Sequence, residues 1–184
     1  MDLEKRLEIY KSEYYFQIDF KEKLYSRMAI YAVLITACIT ANITMFDTLI
    51  LNSEFVLTLC IFFWQLMVIF LGYILYGFVC LSHIKQDSWT NTPSDMENYR
   101  NTLENHFKQH TANNILRSNI DEEMHLYVNE MFTIYLVEQY SQCATVIRDN
   151  NIYRQRWLLK IMSNTYALLV LTGILGFIYL IIKI

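Results

Sequence analysis

The chain has 184 residues, 54% hydrophobic and only 18% charged, with four Gly, one Pro and a net charge of −3. That charged share lies well below the roughly 25% of soluble domains, and so few Gly and Pro exclude collagen-like and Gly/Pro-rich disordered chains. The mild net charge makes no electrostatic case for a general nucleic-acid binder.

Residues 1–27 mix six basic side chains (Lys5, Arg6, Lys11, Lys21, Lys23, Arg27) with six acidic ones. A secretory signal would instead show a short basic stretch followed by an apolar one. Leu3, Leu7, Tyr10, Tyr14, Ile18 and Leu24 recur at helical spacing, predicting an amphipathic cytosolic helix that lies on the membrane or on the soluble part.

No Lys or Arg follows until Lys85, and the only acids in that gap, Asp47 and Glu54, divide it into the apolar runs Met28–Phe46 and Phe55–Ser82. The first would rise about 28 Å as a helix, close to the hydrocarbon thickness of a bilayer, and the second is longer than needed. The pattern predicts a two-span hairpin over 28–82. A third uncharged run, Ile161–Ile182, lies between Lys160 and Lys183 and predicts a C-terminal helix, transmembrane or membrane-buried, over 158–184. Basic residues crowd residues 1–27 and 85–160 and are absent from Asp47–Glu54. The N-terminus and central segment are therefore expected in the cytosol, with the loop outside.

Between the runs, residues 83–157 suffice for a small helical module. Lys85–Pro93 reads as a polar linker. Ser94 and Glu97 form a capping-box spacing for a helix reaching about His110, with Met96, Tyr99, Leu103 and Phe107 as its apolar stripe. Thr111–Asn119 reads as a turn region, and a second helix is expected from about Asp121, where Glu122 and Glu123 suit the positive end of the dipole. It either continues through Asp149-Asn150-Asn151 into the third apolar run or kinks there. The fold class expected is all-α: a membrane protein with a helical hairpin, a helical cytosolic module and a C-terminal apolar helix.

Several constellations bear on chemistry. Cys38, Cys60, Cys80 and Cys143 lack metal-ligand spacing and read as small apolar fillers. His106 and His110 stand at i and i+4 but without the Glu of a metalloprotease motif, so a solvated pair is expected, with no metal and no cofactor. On the first run, Thr36, Thr40 and Thr44 mark a small, polar stripe with Asn42 beside it, for helix packing or for lining a pore. On the second, Gln65 lies with Thr58 and Gly72 at seven-residue spacing; deep in a bilayer it must face protein or a lumen. No Asp, Glu, Lys, Arg or His lies within a run, which argues against a secondary transporter.

Arg100-Asn101-Thr102-Leu103-Glu104-Asn105-His106 matches the signature of HEPN ribonucleases, an Arg, a polar neighbour and a His a few residues on. There a His moves protons at the ribose and leaving-group oxygens, and the Arg stabilises charge developing on the phosphate. On an unbroken helix, six residues separate the two side chains by about 120°, so convergence needs a break or a neighbouring protomer. The layout, with Phe20-Lys21-Glu22-Lys23-Leu24-Tyr25-Ser26-Arg27 before the first run and Asn150-Asn151-Ile152-Tyr153-Arg154 before the last, resembles small membrane effectors of bacterial antiviral defence. With Arg100, Asn101 and His106 added, it resembles the HEPN-like membrane accessory protein of type VI-B CRISPR systems. That resemblance implies a homo-oligomeric pore in the bacterial inner membrane that depolarises infected cells. It implies an RNA-guided RNase as functional partner, contact with RNA rather than DNA, and an Arg and His that are structural or RNA-responsive without cleaving. A membrane-tethered HEPN ribonuclease and a nucleotide-signal-gated defence effector are the alternative expectations.

Overall fold

A computed structural model of the chain describes residues 2–50, 54–84, 87–111 and 120–183. The described residues hold four α-helices and no strand: α1 (Leu3–Ile50), α2 (Glu54–Ser82), α3 (Pro93–Thr111) and α4 (Ile120–Lys183). Three of them, α1, α2 and α4, are long and apolar enough to cross a membrane by length and composition. The fold class is thus all-helical, as expected from the periodicity. α1 and α4 pass through the boundaries expected near residues 27 and 157 without a break. Of the two courses open at Asp149-Asn150-Asn151, the chain takes the continuous one. The expected loop Asp47–Glu54 shrinks, because α1 extends to Ile50 and α2 opens at Glu54, with 51–53 outside the described residues. Lys85 and Gln86 of the expected linker and 112–119 of the expected turn lie outside them too.

The chain forms two compact units, each assembled from separate stretches: Met1–Phe20 with Gln86–Asn150, and Lys21–Lys85 with Asn151–Ile184. In the first, Tyr14 and Ile18 of α1 pack on Tyr140, Cys143, Ala144 and Ile147 of α4. Tyr14 and Ile18 of the amphipathic stripe therefore rest on the helical module. A second cluster joins α3 to α4 through Leu103, Met124 and Val128, with Tyr99, Phe107 and Tyr127 around them. Tyr99 stacks on Tyr135 at 4.2 Å, and the Asn91 amide donates to the Tyr135 hydroxyl.

The cap of α3 corrects the sequence reading. Thr92, not Ser94, is the capping residue: its Oγ1 accepts from the Asp95 backbone N–H at 3.2 Å, while Asp95 Oδ2 accepts from the Thr92 N–H at 3.3 Å. The reciprocal pair satisfies two donors that the first turn leaves open. Pro93 favours this start, since the first helical position needs no N–H and wants the φ that its ring imposes.

In the second unit, burial repeats every seven residues on all three helices. α1 buries or half-buries Met28, Ile35, Asn42 and Leu49 together with Tyr31, Cys38 and Met45. α2 buries Cys60, Met67, Ile74 and Leu81. α4 buries Arg154, Ile161, Leu168 and Leu175 alongside Leu158 and Thr165. A sustained seven-residue repeat is the pattern of helices that wind left-handed about one another with interlocking side chains. Gly77 permits a close approach of α2 and α4, since a Cβ there would stand 2.8 Å from Ile161 Cγ1.

Candidate functional site

The polar positions of the apolar helices divide by how their hydrogen bonds are met. Thr36, Thr40 and Thr44 are exposed on α1, and each hydroxyl donates back to its own helix: to Ala32 O at 2.9 Å, to Thr36 O at 3.0 Å and to Ala41 O at 2.8 Å. Back-bonding removes the donor, the costly group in hydrocarbon, and leaves the hydroxyl oxygen facing outward. The stripe borders a shallow groove of about 710 Å³ lined by Ala32, Val33, Thr36, Ala37, Thr40 and Ala41.

Asn42, expected beside that stripe, turns inward. Its Nδ2 donates to Thr172 Oγ1 on α4 at 3.0 Å and to Cys38 O at 2.8 Å. It thereby ties α1 to α4, while its Oδ1 is buried with no partner among the described residues. Asn42 also borders an apolar groove of about 520 Å³ between α1 and α2, walled by Ile39, Phe46, Trp64 and Leu71. Gln65 is different again. It is exposed on α2, and no described residue bonds to it.

On α3, Asn101 and His106 are exposed and Arg100 is half-buried. The helix is unbroken from Pro93 to Thr111, which turns Arg100 and His106 about 120° apart within one chain. The His106 ring instead sits 4.4 Å from that of His110. Among the described residues, no group of three His, Cys, Asp or Glu side chains is placed to hold a metal ion. The four cysteines are all free thiols; Cys38, Cys60 and Cys143 are buried and Cys80 is half-buried. Burial, followed by the Tyr15 hydroxyl beside it, pushes the Tyr140 phenol up from its ordinary value.

The burial of Arg154 is not foreseen by its place in the run before the last apolar segment. This cation is 4% exposed, donates from Nη1 to Asn151 Oδ1 at 2.8 Å, and lies 5.8 Å from the Tyr25 ring centroid. Its signal was in the chain all along, because Arg154 falls on the same heptad position as Ile161 and Leu168. The third apolar run is framed by two lysines over aromatic rings. Lys160 Nζ stands 4.0 Å from the centre of the Trp157 ring and Lys183 Nζ 5.5 Å from that of Tyr179. Lys183 lies twenty-three helical positions after Lys160, a rise of about 35 Å, and such cation–aromatic pairs suit the two interfaces of a bilayer. The chain matches no family model, no curated protein and no solved structure.

Proposed function

We propose that the chain is a membrane accessory or effector of bacterial antiviral defence. Copies assemble in the inner membrane through a two-span hairpin and a C-terminal span, with the N-terminus and the HEPN-like module in the cytosol. On infection the assembly opens a pore and depolarises the cell, strengthening the action of an RNA-guided RNase. The observation that carries this reading is the exposed, charge-free stripe of Thr36, Thr40 and Thr44 along α1. Its hydroxyl donors are spent on the helix, so it presents oxygen lone pairs to a lumen. Such a lining wets the path and favours cations modestly without binding any ion tightly.

Arg100 and His106 then serve RNA contact or the structure of the module rather than cleavage, which accords with their separation around α3. A ribonuclease would need the Arg of one chain to meet the His of another. Membrane potential followed by a voltage-sensitive dye during phage infection tests the proposal, in cells making the chain with its partner system. Infection-dependent depolarisation that weakens on Thr36→Val with Thr40→Val is the result expected. An unchanged potential in infected cells sinks the reading.

A further inference from the structure

The outward face of α2 carries an amide that no described residue of its own chain satisfies. Opposite the buried line of Cys60, Met67, Ile74 and Leu81 runs a second seven-residue line, Thr58, Gln65, Gly72 and Val79, flanked by Phe62, Ile69 and Tyr76, and all seven are exposed. Gln65 lies ten residues from Phe55 and seventeen from Ser82, helical rises of about 15 and 26 Å, so its amide is too deep to reach either interface. Lipid cannot satisfy it, and no described residue of its own chain does. The α1 threonines make no such demand, because their donors are already used.

Gly72 stands two turns away on the same line. A Cβ there would meet nothing within 4 Å, whereas one at Gly77 would press on Ile161. Packing within the chain therefore explains Gly77 but gives no reason for a glycine at 72. A small residue on an exposed face of a membrane helix lets the backbone of a neighbouring helix come close.

We propose that this face is a parallel, two-fold seam between two copies of the chain, α2 against α2. A carboxamide carries both donor and acceptor, so two Gln65 side chains at the same depth satisfy each other across the axis. One amide in a heptad line whose other members are Thr58, Gly72 and Val79 also sets register, since any slip leaves both amides unpaired. The smooth surface at Gly72 brings the backbones together beside that pair. The seam rests on the reading of a membrane assembly and adds that its repeating unit is a dimer, in which the two-fold axis turns only one copy's α1 stripe toward a given lumen.

The test uses the full chain in native membranes, in a Cys80→Ser background so that the remaining native thiols are buried. Single substitutions Gln65→Cys, Gly72→Cys, Tyr73→Cys and Leu75→Cys are oxidised, and dimer formation is read on gels. Cross-linking at positions 65 and 72, and not at 73 and 75, is the expected pattern. Without added cysteines, Gln65→Leu weakens dimerisation in lipid about threefold or more, and Gln65→Asn, which keeps an amide, restores part of it. Equal cross-linking at all four positions, or none, overturns the seam. So does labelling of the Gln65→Cys chain by a membrane-impermeant thiosulfonate, which would put water rather than a second helix beside it. A failed seam with infection-dependent depolarisation intact leaves the pore reading standing; the expected seam without depolarisation removes only the pore.

Discussion

The bond between Asn42 and Thr172 offers a quantitative check on how α1 and α4 are held together. In a double-mutant cycle of Asn42→Leu and Thr172→Val, the 3.0 Å contact predicts a coupling of about 0.6 kcal/mol, at most about 1.7, the range for side-chain hydrogen bonds inside membranes. The two single changes should differ. Thr172→Val removes the acceptor and leaves Asn42 with only its bond to Cys38 O, costing about 1 kcal/mol. Asn42→Leu loses the same bond but also removes Oδ1, which is buried without a partner among the described residues, so its net cost should lie near zero. Unfolding by SDS titration in mixed micelles reads both changes. The fluorescence of Trp64, 4.8 Å from Phe46, and of Trp157, 5.5 Å from Tyr76, reports on this unit. A coupling indistinguishable from zero, or an Asn42→Leu cost above about 2 kcal/mol, would refute the reasoning.

Other outcomes follow from the helices themselves. Asp149→Pro should destabilise the chain by about 3 kcal/mol because it interrupts α4, whereas Asp149→Ala should be tolerated; thermal unfolding of both separates a continuous helix from a kinked one. Thr92→Ala should cost about 1 kcal/mol and Ser94→Ala far less, measured by circular dichroism, since the cap sits at Thr92. Arg100→Ala with His106→Ala should leave purified chain as inert toward single-stranded RNA as the wild type; RNA degradation lost on these substitutions would instead establish a ribonuclease. Tyr140 has a folded pKa raised above its unfolded value, so its contribution is present below about pH 10 and fades as pH climbs through the folded value. Tyr140→Phe should therefore lessen the alkaline loss of stability, and equal loss in both chains would contradict the burial assigned to this ring.

Some features were legible because they depend on local composition. Leu103 and Phe107 were read as buried from their spacing and do pack on Met124 and Val128. The cap was missed by two residues, because Thr92-x-x-Asp95 and Ser94-x-x-Glu97 are both plausible spacings. Asn42, beside the stripe of Thr36, Thr40 and Thr44, faces α4 while they face outward, a choice of side that the apolar run does not encode. Arg154 reads with Arg156 and Lys160 as part of a basic flank before an apolar run, not as a buried side chain.

The sequence alone determined that this is a helical protein with three charge-free runs, because transfer of charge into hydrocarbon is costly at every position and so leaves a one-dimensional trace. Which face of each run turns inward was decided by tertiary structure. In a helix that is apolar all round, the hydrophobic pattern has no preferred side, and only interlocking with neighbours selects one. That selection buried Met67 and left Gln65 outside, and it turned Asn42 toward α4 and the threonines, on the other side of α1, outward.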